Sequence, residues 1–131
     1  MKISVFENEF NAIRTSFDAF NLLYFNNELE FDVFPSSQDF GDLNNLCNYK
    51  IVIIDIDLSI KSKLDGFQLL DEILKLNLPE LKVIILTGHI AINEKLKELN
   101  FPNYPVISKP INLTTIKNAF DFYGLKSNYS V

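Results

Sequence analysis

The residues of this chain that could do chemistry together are Glu7 and Asn8, Asp55 and Asp57, Thr87, and Lys109. Each follows closely on an apolar run. The clearest is Lys50-Ile-Val-Ile-Ile-Asp55-Ile-Asp57, in which consecutive β-branched residues, Ile51 to Ile54, end in carboxylates. Such a run reads as a strand buried on both faces of a parallel sheet. Aspartates directly after it fall at the carboxyl end of the strand, where open α/β sheets place their ligand sites. A carboxylate there can ligate a cation or attack phosphorus. Clustered carboxylates repel one another by about 1–4 kcal/mol per pair at ~4 Å. A divalent, oxygen-seeking cation relieves that repulsion, and Mg²⁺ sits on one or two carboxylates plus waters and phosphate oxygens. Lys109 could hold a phosphoryl oxygen as a point charge, and Thr87 could donate a hydrogen bond to another.

For these groups to meet, strands and helices must alternate, and the sequence reads that way from end to end. Ile3 to Phe6 is a short first strand. A long amphipathic helix follows, with Phe10, Ile13, Phe17, Phe20 and Tyr24 spaced by three or four. Glu30 to Phe34 is a second strand, after which Ser37 is expected to cap a weak helix through about Leu46. The strand Lys50 to Asp55 leads into a polar loop, Ser59 to Asp65, and a strong helix from Gly66 through Leu76 with Phe67, Leu70, Ile73 and Leu74 as its stripe. Lys82 to Thr87 is a fourth strand, Ala91 to Leu99 a short helix, and Val106 to Ser108 a fifth strand. Asn112 caps a last helix carrying Leu113, Ile116, Ala119, Phe120 and Tyr123. The pattern predicts an α/β fold: a flavodoxin-like, doubly wound (βα)5 domain. Its five-stranded parallel sheet is expected in the order 2-1-3-4-5, with helices on both faces.

Composition narrows the function classes. At 131 residues the chain reads as a single domain, 1–131, able to bury roughly two-thirds of its unfolded surface. A net charge of −5 and a pI near 4.8 offer no basic face to nucleic acid. No apolar run approaches the about 20 residues of a bilayer span, and the N-terminus meets Glu7 too early for a secretory signal. The reading is a cytoplasmic protein. Cys47 is alone, which leaves no internal disulfide and no cysteine zinc site, and it is expected to be a small core residue.

The ordered set of strand-end residues resembles the receiver domain of bacterial two-component response regulators. The matching pieces are Glu7-Asn8 after strand one, Asp55 ending strand three, Asp65-Gly66 opening helix three, Thr87 ending strand four, and Lys109-Pro110 after strand five. The likeness runs from about Lys2 to Tyr123. The resemblance implies that Asp55 accepts a phosphoryl group from a histidine kinase or phosphotransfer protein, with Mg²⁺ bound beside it. It implies Glu7, Asn8, Asp55 and the backbone carbonyl of Asp57 as the metal site. Thr87 would be the hydroxyl that senses the phosphate, and Lys109 its counter-ion. It also implies a phosphoacceptor rather than an enzyme, and at 131 residues no output domain is expected. Output would then be contact with a downstream protein, from a monomer or weak dimer.

This chain departs from the family pattern at three places. Asn8 stands where the metal-touching carboxylate usually is, which removes a charge and weakens Mg²⁺ binding. The loop after Asp55, Ser59-Ile-Lys-Ser-Lys-Leu-Asp65, is about three residues longer and lacks the usual proline. Val106 occupies the place of a switching aromatic, with Tyr104 two residues earlier. One alternative is therefore a phosphorylation-impaired pseudo-receiver that acts as an interaction module. Another is a phosphatase: Asp55-Ile-Asp57-Leu-Ser59 also resembles the first motif of haloacid-dehalogenase-type enzymes. That family places metal-binding acids after its lysine, and only Asp121 follows Lys109. Asp65 reads as a helix cap and His89 as an exposed loop histidine.

Overall fold

The computed structural model describes residues 1–127. Five parallel strands form one sheet in the order β2-β1-β3-β4-β5: β1 (Lys2–Phe6), β2 (Glu30–Phe34), β3 (Ile51–Asp55), β4 (Lys82–Thr87) and β5 (Val106–Ser108). The helices between them are α1 (Phe10–Phe25), α2 (Ser37–Phe40), α3 (Gly66–Leu76), α4 (Ile92–Glu98) and α5 (Leu113–Phe122). This is the doubly wound, flavodoxin-like arrangement expected from the alternation.

The two-residue period of the strands divides the core in two. Ile3, Val5, Ile51, Ile53, Ile84, Leu86 and Ile107 face α1 and α5. Phe6, Val52, Ile54, Val83 and Ile85 face α3, α4 and Leu46. The first half is aromatic, with Phe20 and Phe120 ring centroids 4.8 Å apart across the α1–α5 seam. Every residue of β3 is buried, which places its terminal carboxylate inside the molecule rather than at an edge.

Polar side chains fix where the helices begin and end. Asp65 accepts from the Gln68 amide while Gln68 reaches back to Asp65, and Asn112 and Thr115 make the same reciprocal cap on α5. Asparagine takes the left-handed positions after α1 and α3, at Asn26 and Asn77 (φ 52° at each), a conformation its short polar side chain tolerates. Asn21, buried in α1, exchanges two 3.0 Å hydrogen bonds with the backbone of Leu29 and so ties the helix to the chain entering β2.

The segment after β2 departs from expectation. Ser36, not Ser37, caps α2, accepting from the Asp39 amide. The helix ends at Phe40, and Leu43–Asn48 continues as a separate 3-10 helix capped by Asp42. Three residues per turn put Leu43 and Leu46 on one inward side and turn Cys47 out. Cys47 is therefore exposed, not a core residue. In α3, Leu74 of the expected stripe is also largely exposed.

Candidate functional site

The carboxyl ends of β1, β3, β4 and β5 lie side by side, and side chains from three of them meet. Lys109, one residue beyond β5, places Nζ 3.0 Å from Asp55 Oδ2 and 3.0 Å from Glu7 Oε2. Its backbone N–H donates to the carbonyl of Thr87 at 2.9 Å, which fixes the lysine against β4. The Lys109–Pro110 peptide bond is cis. Glu7, Asp55 and Thr87 are each only 1% exposed, so the carboxylates are buried beneath a partly exposed lysine.

Two carboxylates against one ammonium leave a negative charge in surplus where water is scarce. Burial, the neighbouring Asp55 carboxylate and its charge raise the Glu7 pKa above its ordinary value, against the lowering effect of the Glu9 amide and Lys109. Glu7 Oε1 accepts from the Glu9 N–H at 3.0 Å. Glu7 Oε2 is buried in ion-pair contact with Lys109 and accepts no hydrogen bond. Burial lowers the Lys109 pKa, but the Glu7 and Asp55 carboxylates beside the ammonium outweigh it and raise it overall.

The surplus charge and the unfilled buried oxygen fit a hard divalent cation. Among the described residues no three His, Cys, Asp or Glu side chains are grouped to hold a metal by themselves. A cation here would take two carboxylates and complete its shell with neutral oxygens. Asn8 lies exposed beside Glu7, and Asp57 is held close by its backbone N–H, which donates to Asp55 Oδ1 at 2.8 Å.

Thr87 is buried one position beyond Leu86, the residue paired in register with Asp55. Its Oγ1 accepts from the His89 amide at 3.1 Å. Gly66 sits against the other side of the pocket. A Cβ there would lie 2.4 Å from the Ile56 carbonyl oxygen and Cα, so only glycine lets α3 approach the residue that follows Asp55.

A family model for the response regulator receiver domain matches residues 15–121. The chain belongs to the response regulator receiver family. The receiver domain of NtrX from Brucella abortus is 28% identical and superimposes with a TM-score of 0.68, covering 91% of this chain and 95% of that one. Two more distant neighbours show the same fold. The signal receiver domain of the DNA-binding response regulator merR from Colwellia psychrerythraea is 17% identical, with a TM-score of 0.70 and coverage of 94% and 97%. The CheY-like receiver domain protein from Methanospirillum hungatei is 18% identical, with a TM-score of 0.68 and coverage of 93% and 91%. No curated protein matches the chain.

The match to the receiver model begins after Glu7 and Asn8, so their place in this receiver rests on the geometry just described. Of the residues singled out by sequence, Glu7, Asp55 and Lys109 are in direct contact, Asp57 is bonded to Asp55, Thr87 lies one register position beyond, and Asn8 is exposed next to Glu7. Two features escaped the sequence reading. His89 is exposed but not idle: its Nε2 lies 2.8 Å from Asp57 Oδ1, so the loops after β3 and β4 are joined. The long loop after Asp55 is bonded to the start of α2 by Ser37, Gln38 and Ser62. Asp121, the sole acid after Lys109, pairs with Lys117 at 2.7 Å on α5. That leaves the phosphatase reading without a later acid near Asp55.

Proposed function

We propose that this receiver accepts a phosphoryl group on Asp55 from a histidine kinase or phosphotransfer protein and signals through contact with a downstream protein. The observation that carries the reading is Lys109 Nζ at 3.0 Å from both Glu7 and Asp55, side chains delivered by the ends of three different strands. Asp55 acts as nucleophile. Its carboxylate oxygen bonds to phosphorus as the bond from phosphorus to the donor breaks, and the electron pair leaves with the donor. Lys109 holds one phosphoryl oxygen and the Thr87 hydroxyl donates to another.

Glu7, Asp55, the Asp57 carbonyl and the Asn8 amide oxygen would hold Mg²⁺. When bound, it supplies positive charge that offsets the charge developing on the phosphoryl oxygens. Asn8 keeps that affinity below the level of a site with a third carboxylate. The role is that of a phosphoacceptor, which fits a family of signalling domains rather than turnover enzymes. Among the described residues no helix is long and apolar enough to cross a membrane.

The test is intact mass after incubation with acetyl phosphate and Mg²⁺. Wild type gains one phosphoryl group, releasing acetate, and Asp55→Asn gains none. An equal adduct in the mutant, or no adduct on wild type at millimolar Mg²⁺, overturns the reading. If wild type takes no phosphoryl group yet keeps its fold, the chain is a pseudo-receiver.

A further inference from the structure

The loop that begins at Asp55 does not hang free over the pocket. Its first bond is to the phosphoacceptor itself, from the Asp57 N–H to Asp55 Oδ1 at 2.8 Å. Its middle is a tight turn, with the Ser62 amide on the Ser59 carbonyl at 2.8 Å and the Lys61 amide on Ser59 Oγ at 3.2 Å. Its far end is bonded to α2. The Ser37 amide donates to Ser62 Oγ at 2.9 Å, the Leu64 amide to Ser37 Oγ at 2.9 Å, and the Lys63 amide to Gln38 Oε1 at 2.7 Å. Gln38 Nε2 returns a bond to the Lys61 carbonyl at 2.8 Å. Ser37 and Ser62 are both buried.

α2 is four residues long, too short to hold itself. The first orphan amide of a helix needs an outside acceptor. Here the acceptor is Ser62, a side chain of the phosphoacceptor's own loop. At the other end of that loop, the acceptor of the Asp57 amide is a carboxylate oxygen. Phosphorylation turns it into an ester or carbonyl oxygen, a weaker acceptor, because the charge moves out to the phosphoryl group. At the opposite edge of the sheet, the β5 position that could relay the event by an aromatic side chain holds Val106.

We propose that Ser37, Gln38 and Ser62 form a clasp that makes the order of α2 depend on the state of Asp55, so that phosphorylation loosens the Ser37–Phe40 turn and exposes the face beside β2. The inference rests on Asp55 being the phosphoacceptor. The device is an order–disorder transition of a short segment, biased by one hydrogen bond at its far end.

Hydrogen exchange by mass spectrometry on the full chain tests it, with the peptide covering residues 36–41 as the readout and intact mass on the same sample reporting the adduct. With acetyl phosphate and Mg²⁺, exchange in this peptide rises about tenfold. Asp55→Ala, which removes the acceptor of the Asp57 amide without any adduct, raises it in the same way. In Ser62→Ala the peptide exchanges fast in both states and no longer responds to acetyl phosphate. An adduct with unchanged exchange overturns the coupling and leaves the phosphoacceptor reading intact. Unchanged exchange in Asp55→Ala overturns the coupling even if no adduct forms, whereas absence of the adduct alone overturns only the phosphoacceptor reading.

Discussion

At the scale of single residues, the site is defined by a charge imbalance. Glu7 and Asp55 share one ammonium, and position 8, where a third acid would sit, carries an amide. Asn8→Asp therefore has two opposite effects. Without metal, the added carboxylate repels its neighbours and lowers the melting temperature. With Mg²⁺, the extra charge tightens binding by about tenfold, the scale of about 1 kcal/mol for a charge pair at ~4 Å in a water-like dielectric, as befits an exposed position. Calorimetric titration of both proteins with Mg²⁺ checks the second effect, and equal affinities would show that residue 8 does not face the cation. Asp55, Thr87 and Lys109 were readable because Asp55 and Thr87 end their strands and Lys109 directly follows its own, and strand order alone brings the ends together. The Asp57–His89 pair was not, because it joins residues 32 apart through the turn geometry of two loops.

At the scale of elements, α3 shows how closely a helix can be tied to the strand that carries Asp55. Gly66 at its start touches the Ile56 backbone. Helix propensity favours alanine over glycine by about 1 kcal/mol. A Cβ 2.4 Å from a backbone oxygen reverses that sign, since neither atom is at the end of a flexible side chain. Gly66→Ala is expected to destabilise the protein by about 1–3 kcal/mol, the usual range for overpacking. Urea unfolding measures it, and a gain in stability would show that α3 is free to withdraw. Helices with strong caps or long stripes, such as α1, α3 and α5, were legible from periodicity and capping residues. The segment after β2 was not. Its short helix owes its first bond to Ser62, 25 residues away, and its continuation follows a three-residue period that a search for 3.6-residue spacing misassigns.

At the scale of the whole molecule, two tyrosines pin outer layers to the sheet. Tyr49 donates to Asp32 Oδ2 at 2.7 Å at the β2 edge, and Tyr123 donates to the Val83 carbonyl at 2.6 Å between α5 and β4. Burial pushes both phenols up to about 12, helped at Tyr49 by the Asp32 carboxylate. A pKa raised by folding adds stability below the ordinary value of 10.0 that is lost as pH climbs through the folded value. Stability in urea is expected to fall between about pH 10 and 12, and Asp32→Asn brings the Tyr49 absorbance transition down toward the ordinary range. A Tyr49 transition unmoved by that substitution would show that burial alone holds it. The same edge has an optical consequence. The chain has no tryptophan, and Phe40 of α2 is wedged among Phe34 at 4.8 Å, Phe6 at 5.6 Å and Tyr49 at 5.9 Å. A lone indole in place of Phe40 would glow blue while that turn is seated in its aromatic nest and redden when it lifts into water, so that colour alone reports where the turn lies.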